Sequence, residues 1–521
     1  MIEALRRPEA YPHPVREPVE VLETHASWIA LAGDRAYKLK KPVDLGFLDF
    51  STLERRLHFC REELRLNRRL APAMYEAVVP VLGPPERARI GKPGEPGAPG
   101  EPGETADAIE YAVRMRRFPQ DRLLSEVARR GELAGGAVDA LAARVARFHA
   151  EVEVAPAGSR FGTPEAVWSA VDDTLALLCG HPHAPRMQER LSALRAWCEA
   201  ERARLAPVFA ERLAQGFVRE CHGDMHLGNM ILEGDEVVVF DGIEFAPELR
   251  WIDTASEIAF TEMDLLRRDQ RALAHRFVNA WCEASGDYGA LRVLPFYATY
   301  RALVRAKVDE IRRDQSARGA GEAGDAGAVR ELERDFAGYV ALAEALAAPR
   351  APTLAITYGL SGSGKTTGTT PLVEERGAVR VRSDVERKRL HGLDALARTG
   401  AAPGSGIYGA DASARTYARL RELAGVALAA GRDAIVDATF LARAERAPFR
   451  ALARELGVPF EILVFEADEA VLRARVAARA ERADDASEAT VDVLEAQIAR
   501  AEPPRADEAD RVTRVAPAPR R

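Results

Sequence analysis

Cysteine and long apolar runs are both scarce in this chain of 521 residues. No apolar run approaches the roughly 18 to 20 residues that cross a membrane. The first eight residues lack the apolar core of a signal peptide. The five cysteines are scattered, odd in number and never spaced as Cys-x-x-Cys, which argues against a disulfide framework and a structural zinc site. We therefore expect a cytoplasmic protein without a membrane span.

Lysine is scarce as well. Of the 73 basic residues, seven are lysine and 66 are arginine, and 80 acidic residues bring the net charge to −7. The resulting isoelectric point of about 5.9 argues against bulk binding of nucleic acid through a basic surface. Because arginine is the usual cation of this chain, each lysine is a candidate for a position that needs a compact ammonium group.

The length suggests about three compact units at roughly 150 residues each. Residues 318–327 are rich in Gly and Ala and indicate a flexible break. The Gly-X-Y stretch at 91–103 has only about four triplets, too few for a triple helix, and we interpret it as a hairpin tip. The predicted organisation is an α+β unit at 1–325, with lobes at about 1–117 and 118–325, a helical linker at 326–350, and an α/β unit with a mostly parallel sheet at 351–521.

A phosphate-binding loop opens the last unit. The apolar run Thr353–Tyr358 leads into Gly-Leu-Ser-Gly-Ser-Gly-Lys-Thr-Thr at 359–367, a full match to GxxxxGK[ST] after a strand. Backbone N–H groups of such a loop turn toward phosphates, and the next helix offers them its N-terminus. Lys365 would reach the β- and γ-phosphates and Thr366 would bind Mg²⁺. The nucleotide-binding candidates are Gly359, Ser361, Gly362, Ser363, Gly364, Lys365, Thr366 and Thr367.

Charged residues downstream indicate phosphoryl transfer. Asp384 follows the β-like run Val379–Val381 and could take the proton of an attacking hydroxyl, and Arg387 lies one helical turn later. Asp437 ends another β-like run and is a candidate for organising Mg²⁺ or water. A helix cap or surface loop is the alternative for each aspartate. Arg475 and Arg479 share one helix face and could close over phosphates as a lid, or could form a solvated arginine face.

These motifs, over roughly residues 351–500, resemble the P-loop small-molecule kinases of the gluconate-kinase, polynucleotide-kinase and zeta-toxin kind. The resemblance implies ATP-dependent transfer to a hydroxyl group and leaves the acceptor open. No extended basic and aromatic stripe of the sort that follows a single strand of nucleic acid is present. We therefore expect a small-molecule acceptor, although a polynucleotide 5′-hydroxyl stays open as an alternative.

A second constellation lies at residues 222–229, His-Gly-Asp-Met-His-Leu-Gly-Asn. Asp224 and Asn229, five apart between apolar runs, match the spacing of a kinase catalytic loop, in which the first is the base and the second a metal ligand. Asp241 directly follows a β-like run and is the expected second Mg²⁺ ligand. We expect His222 to brace the loop rather than to act as an acid or base. A metal site at His222 and His226 is disfavoured, because no third ligand follows them at metalloprotease spacing.

Three of the seven lysines cluster near the N-terminus. Lys38 and Lys40 would face the same side of a strand. The Ala-x-Lys step resembles that of the phosphate-binding lysine in a protein-kinase strand, and this resemblance implies that role for Lys38, with Lys40 as the reserve. The following helix carries Glu62 and Glu63, of which Glu63 fits the apolar face better as the lysine's partner. The segment 110–115 would lead to an adenine-binding hinge.

The loop at 222–229 resembles that of the aminoglycoside-phosphotransferase family of protein-kinase-like enzymes. The resemblance implies Asp224 as catalytic base, and Asn229 and Asp241 as Mg²⁺ ligands. A GxGxxG loop is missing, and residues 24–29 stand in its place. The whole chain is similar to bacterial fusions of such a domain with a P-loop kinase. Acidic residues between 241 and 269 permit a polycationic acceptor without requiring one.

Three hypotheses follow from the sequence. The first is an enzyme with two sites that transfer phosphate from ATP, with Mg²⁺, to hydroxyls of small molecules such as sugars, aminoglycoside-like compounds or nucleosides. The second is one active P-loop kinase with a degenerate kinase-like domain used for regulation. The third is a nucleotide-dependent switch or toxin-like module. The sequence leaves the oligomeric state open.

Overall fold

The computed structural model describes residues 1–44, 46, 48–93, 107–319, 326–400, 405–482 and 485–515. Most of the predicted hairpin tip and of the predicted flexible break lies outside these residues. The chain forms two compact units, and the division does not follow the sequence linearly. The first unit comprises residues 1–140, 148–167 and 209–261, and the second comprises residues 141–147, 168–208 and 262–521.

An antiparallel sheet with one long helix forms the start of the first unit. The long helix is α2 (Leu53–Asn67). It is capped at its N-terminus by Thr52, whose side chain accepts a hydrogen bond from the Arg55 N–H. Its apolar face buries Leu57 and Cys60 against Tyr111 of the sheet. The strand order is β1-β2-β3-β6-β4-β5, which places β3 beside β6. These elements are α1 (Ile2–Leu5), β1 (Glu20–Glu23), β2 (Ser27–Ala32), β3 (Arg35–Lys40), α2 (Leu53–Asn67), β4 (Tyr75–Leu82), β5 (Arg89–Ile90) and β6 (Ala108–Arg116).

Helices and two short antiparallel ladders follow. Strand β7 pairs with β10, and β8 pairs with β9. Two loops next to these strand pairs carry the site residues predicted from the sequence. One loop lies between β7 and β8, and the other follows β9. The elements are α3 (Leu124–Arg129), α4 (Gly135–Glu151), α5 (Pro164–Gly180), α6 (Pro185–Ala214), β7 (Val218–Glu220), β8 (Met230–Glu233), β9 (Glu236–Val239), α7 (Pro247–Arg250), β10 (Trp251–Asp253) and α8 (Thr254–Arg267).

Three further α-helices of the second unit lie between α8 and its sheet in the described part of the chain. They are α9 (Arg271–Ser285), α10 (Leu294–Gly319) and α11 (Ala326–Ala347). Helix α9 ends at Gly286, whose φ of 76° lies in the left-handed region that favours glycine. Helices α10 and α11 pack closely together, and α11 occupies the predicted helical linker.

A parallel sheet and the helices that connect its strands form the C-terminal part of the second unit. Its strand order is β12-β13-β11-β14-β15, so β11, which leads into the phosphate loop, is central and β12 is an edge strand. The prediction of an α/β unit with a mostly parallel sheet is confirmed. The elements are β11 (Leu354–Tyr358), α12 (Lys365–Arg376), β12 (Val379–Arg382), α13 (Ser383–Leu390), α14 (Ala410–Ala429), β13 (Ala434–Asp437), α15 (Arg443–Leu456), β14 (Phe460–Val464), α16 (Glu469–Arg482), α17 (Val491–Arg500) and β15 (Arg511–Arg514).

A membrane-spanning helix would need a long apolar stretch. Within the described part of the chain, none of the helices combines the length and the apolar character that crossing a membrane requires.

Candidate active sites

The loop between β7 and β8 brings the predicted base and metal ligand of the first unit together. The Asn229 side-chain amide donates to the Asp224 main-chain oxygen at 3.0 Å and to its carboxylate at 2.9 Å. Because the nitrogen makes these contacts, the amide oxygen of Asn229 is the atom that could bind a cation. The carboxylate of Asp224 lies 3.4 Å from Nε2 of His226. The spacing read from the sequence therefore places both side chains at one point.

A buried carboxylate that the sequence analysis missed holds this loop from behind. Glu257 accepts hydrogen bonds from the N–H groups of His222 and Gly223, both at 2.7 Å, and its other oxygen lies 2.9 Å from Nε2 of His149. These hydrogen bonds keep the pKa of Glu257 below its usual range although burial raises it. Glu257 therefore acts as an anionic anchor for the turn that carries Asp224.

His222 braces the same loop. Its Nδ1 accepts from the Asp224 N–H at 3.3 Å, which leaves Nε2 as the protonated nitrogen that donates to the Phe240 carbonyl at 2.9 Å. Burial lowers the pKa of His222. A neutral imidazole with both nitrogens engaged supports the bracing role expected from the sequence and joins the two loops.

The loop after β9 turns sharply at Asp241, which has a φ of 62°, an uncommon value for a residue other than glycine. Two hydrogen bonds hold the turn: the Asp241 N–H donates to the Tyr75 hydroxyl at 3.1 Å, and the Gly242 N–H donates to the Asn67 side chain at 2.8 Å. Tyr75 and Asn67 belong to β4 and α2. Helix and sheet together thus aim the Asp241 carboxylate.

Lys38 and Lys40 share one partner. The Glu63 carboxylate lies 2.9 Å from Nζ of Lys38 through one oxygen and accepts from Nζ of Lys40 at 2.7 Å through the other. Lys38 also donates to Asp241 at 2.6 Å, whereas Lys40 pairs with Glu244. Lys38 therefore reaches the predicted metal ligand, and Lys40 is enclosed. Glu62 pairs instead with Arg65.

This cluster of charges is balanced inside the protein. Burial alone would raise the pKa of Glu63, but the two ammonium groups lower it to about 2. Burial raises the pKa of Glu244. Both lysines have pKa values above their usual range, because the neighbouring carboxylates outweigh burial. Lys38 is therefore a permanent cation, which suits a group that contacts phosphates.

The donor atoms at this site fit Mg²⁺. The carboxylates of Asp224 and Asp241 and the amide oxygen of Asn229 are oxygen donors, which Mg²⁺ prefers. The side chain of Asp241 is 43% exposed and so remains accessible although Lys38 contacts it. Asn229 and Asp241 are the residues that would hold the ion.

In the second unit, the phosphate loop places its glycines at left-handed positions. Gly362 and Gly364 have φ values of 83° and 89°. A Cβ on Gly362 would come within 3.0 Å of the Leu472 carbonyl in α16, so the helix of the predicted lid lies directly on the loop. Ser361 donates its N–H to the buried side chain of Gln497 at 2.9 Å. Sequence reasoning did not find Gln497, because α17 lies outside every motif.

Lys365 lies over its own loop. Its ammonium group donates to the carbonyls of Gly359 and Leu360, both at 2.8 Å. Burial lowers the pKa of Lys365 to about 8, although the carboxylates of Asp437 and Asp384 oppose that shift. Lys365 is therefore a cation that is only partly stabilised, and a phosphate would stabilise it further.

Thr366 and Asp437 meet at the start of α12. The Thr366 hydroxyl donates to the Asp437 carboxylate at 2.6 Å. A hydroxyl and a carboxylate are again oxygen donors that fit Mg²⁺. From β12, the Arg380 guanidinium donates to the Thr366 carbonyl at 2.6 Å and so fixes the first turn of this helix.

The remaining candidates lie around this core at different distances. Asp384 is in the first turn of α13, directly after β12. Arg387 donates to the Ile407 carbonyl at 2.8 Å and to the Ser413 hydroxyl at 3.1 Å, so its guanidinium contacts the segment before α14 and the first turn of that helix. Arg475 donates to the Gly362 carbonyl at 3.1 Å and already touches the phosphate loop. Arg479 lies 4.0 Å from Asp485.

Comparison with known families agrees with these two constellations. A family model described as the phosphotransferase enzyme family matches residues 54–294, and one described as an AAA domain matches residues 354–504. The first match contains Asp224, Asn229 and Asp241, and the second contains the phosphate loop. The resemblances stated from the sequence, to an aminoglycoside-phosphotransferase-like domain and to a P-loop kinase domain, are confirmed at the level of the two domains.

Relatives over most of the chain and solved structures over parts of it are also similar to this protein. The proteins Rv2004c of Mycobacterium tuberculosis and Mb2027c of Mycobacterium bovis are each 30% identical over 490 residues, which cover 94% of this chain and 91% of the relative. A choline/ethanolamine kinase family protein from Mesorhizobium loti is 13% identical and covers 66% of this chain and 99% of its own, with a TM-score of 0.37. A gluconokinase from Sinorhizobium meliloti is 22% identical and covers 32% and 85%, with a TM-score of 0.23.

Proposed function

Because this chain belongs to the same family as the mycobacterial proteins Rv2004c and Mb2027c and carries both matched domains, we propose that it is a kinase with two phosphotransferase sites. The matches to the two family models identify the chain as a kinase. The proposal adds two working sites, ATP and Mg²⁺ at both of them, hydroxyls of small cytoplasmic molecules as acceptors, and the residue roles given below.

One observation carries the proposal. Each compact unit holds a lysine, an aspartate able to take a proton and oxygen ligands suited to a divalent cation. In the first unit, Lys38 contacts the Asp241 carboxylate, and Asp224 lies beside Asn229. The second unit has Lys365 on the phosphate loop, the Thr366–Asp437 pair, and Asp384 at the end of the neighbouring strand.

In the first unit, Asp224 accepts the proton of the acceptor hydroxyl as that oxygen bonds to the γ-phosphorus. The bond from the γ-phosphorus to the bridging oxygen breaks, and ADP leaves. Lys38 binds the phosphates, and Glu63 holds its ammonium group in place. Asn229 and Asp241 would hold Mg²⁺, which when bound would offset phosphate charge.

In the second unit, Asp384 accepts the hydroxyl proton and Lys365 binds the β- and γ-phosphates. Arg475 and Arg479 steady the transferring group from α16. Thr366 and Asp437 would hold the cation. Arg387 orders the segment at 407–413, which supports a role in shaping the acceptor side of the site rather than in direct contact with phosphate.

Separate substitution of the two bases tests the proposal. A library of sugars, aminocyclitols and nucleosides is screened with ATP for phosphorylated products, using the full chain, Asp224→Asn and Asp384→Asn. Each variant should lose one set of products by about 10²- to 10⁴-fold and keep the other, because general-base catalysis contributes about that much.

The same screen decides between this proposal and the two other hypotheses drawn from the sequence. If all products survive one of the two substitutions unchanged, the unit that carries that substitution is not a catalyst, which would favour a degenerate, regulatory domain. Slow release of ADP without any phosphorylated product would favour a nucleotide-dependent switch.

A further inference from the structure

Helix α9 lies along the edge strand that leads to Asp384. The Asn279 side-chain oxygen accepts the Arg380 N–H at 2.7 Å, and Glu283 accepts from the Arg382 guanidinium at 3.0 Å. Asn279 and Glu283 are one helical turn apart, and Arg380 and Arg382 are alternate residues of β12. One turn of the helix thus matches a two-residue step of the strand, and α9 fixes the strand that leads to the predicted base.

The Arg382 guanidinium also contacts the segment next to the predicted lid. The other terminal nitrogen of Arg382 donates to one oxygen of Asp485 at 3.0 Å, and the second oxygen of Asp485 lies 4.0 Å from Arg479. Arg382 holds the pKa of Asp485 below its usual range although burial raises it. One arginine therefore joins α9 to the segment that faces the lid residue Arg479.

Helix α13, which carries Asp384, is held at its other end by α9 as well. Arg389 donates to the main-chain oxygen of Glu283 and pairs with Glu386. A Cβ on Gly286, at the end of α9, would come within 2.7 Å of the Arg389 guanidinium. Asp384 therefore sits between two contacts with one residue of α9, Glu283, which engages Arg382 through its side chain and Arg389 through its carbonyl.

We propose that Glu283 is a positioning residue of the P-loop site, and that α9 completes this site. Asn279 and Glu283 hold β12 and Arg382, so Asp384 and the Asp485–Arg479 pair keep the arrangement that transfer needs. The inference rests on the proposed function of the second unit. Helix α9 belongs to the stretch matched by the phosphotransferase family model, residues 54–294, so that stretch supplies part of the other domain's active site.

Other contacts of α9 provide a matched control. Arg276 pairs with Glu374 of α12 at 2.7 Å, and both side chains are 27% exposed. The side chain of Glu283, which pairs with Arg382, is 22% exposed and so has a similar environment. The Arg276–Glu374 pair joins α9 to α12, whereas the Glu283–Arg382 pair joins α9 to β12. Loss of packing alone would make both pairs matter equally, whereas positioning of Asp384 would make only Glu283 matter.

The experiment measures ATP turnover by the full chain in the Asp224→Asn background, with water as the acceptor. Glu283→Gln should lower kcat by about tenfold and change the KM for ATP by less than about threefold, because Lys365 and Thr366 are untouched. Arg276→Gln should behave as the parent. Glu283→Asp, which keeps the charge, should recover part of the lost kcat and serves as the second variant if the Gln variant folds poorly.

A double variant tests whether Glu283 acts through Asp384. Glu283→Gln combined with Asp384→Asn should turn over ATP no more slowly than Asp384→Asn alone, since residues that act as one unit are not additive. Additive losses, an equal loss in Arg276→Gln, or wild-type kcat in Glu283→Gln would overturn the inference. Lys365→Met separates the two ideas: turnover that survives this change refutes the proposed function of the P-loop site itself.

Discussion

Gln497 accepts a hydrogen bond from the backbone N–H of Ser361 at 2.9 Å. Ser361 lies inside the phosphate loop, and Gln497 is a buried residue of α17. A neutral amide at this position fixes the loop without adding charge to a site built for an anion. The choice of glutamine over glutamate is therefore open to a direct test.

Gln497→Glu should raise the KM for ATP at the P-loop site by about tenfold, because it places a carboxylate beside bound phosphates. Steady-state kinetics with the acceptor found for the second unit measure the effect. Ile498→Glu adds the same charge to an exposed position of α17 and should leave KM unchanged. Equal effects of the two substitutions would show that the Gln497 contact is irrelevant.

Lys365 should make ATP binding depend on pH. Its pKa is about 8 in the free protein, so part of the population is neutral above that pH, and a bound triphosphate favours the charged form. Affinity at this site should fall as pH rises from 7 to 9, and binding near pH 8 should take up a proton. Calorimetric titrations in two buffers with different ionisation heats measure this uptake.

Lys365→Arg is the control for that titration, because arginine stays charged over the whole range. The proton uptake near pH 8 should disappear in this variant, while ATP binding at the first site, where the pKa of Lys38 is high, contributes equally to both proteins. Uptake that persists in Lys365→Arg would assign the titrating group elsewhere.

Substitutions of Lys38 and Lys40 should have different effects, one mainly on phosphoryl transfer and the other mainly on the free energy of unfolding. Lys40→Met leaves Glu244 buried without its partner and should lower the free energy of unfolding by about 3 to 5 kcal/mol, the usual cost of breaking a buried pair. Lys38→Met should abolish transfer by the first unit with a smaller loss of stability, since Asp241 is partly exposed and Glu63 keeps Lys40.

Urea unfolding and product formation measure the two effects. Lys41→Met removes a lysine paired with the exposed Glu23 and should lower the free energy of unfolding less than Lys40→Met does. A Lys40→Met protein that is stable but inactive would instead make Lys40 the phosphate-binding residue, which the sequence analysis kept as its reserve.

Glu257 should contribute stability that disappears in acid. Its folded pKa lies below the ordinary value of 4.5, so its contribution is fully present above pH 4.5 and is lost as pH falls below it. Glu257→Gln should lower the free energy of unfolding by about 2 to 4 kcal/mol at pH 7, because it removes a buried charge that holds two N–H groups and His149.

Urea unfolding of the wild type and Glu257→Gln between pH 3.5 and 7 measures this dependence. The difference between the two proteins should narrow as pH falls. Glu132→Gln, at a site whose side chain is 58% exposed, should differ little from the wild type at every pH. A gap that stays constant with pH would mean that shape rather than charge makes Glu257 important.

Motifs with fixed local spacing were predictable from the sequence, because the chain itself sets their geometry. The phosphate loop lies between a strand and a helix, as GxxxxGK[ST] requires. Asp224 and Asn229 meet because five residues of one loop bring them together. The choice of Glu63 over Glu62 also agrees with the contacts, since the apolar face of α2 turns Glu63 toward the sheet. Their catalytic roles stay predictions.

Residues that act across long sequence separations were not predictable. Glu257 reaches the catalytic loop from 34 residues away, and Gln497 reaches Ser361 from 136 residues away. Neither separation leaves a periodic or compositional signal in a single sequence. The contact between Glu283 and Arg382 joins two predicted domains, and the chain gives no local reason for that pairing.

The edge strand β12 has a consequence for how this protein can be divided. Its Arg380 N–H is satisfied by Asn279, so a fragment that begins after α11 would carry a strand edge with an unpaired donor. Uncovered edges of this kind recruit strands from other molecules. Expression of residues 351–521 alone should therefore yield self-associating material, and a gene split at the apparent boundary would separate an edge from its cover. A dissection that respects the molecule would keep α9 attached.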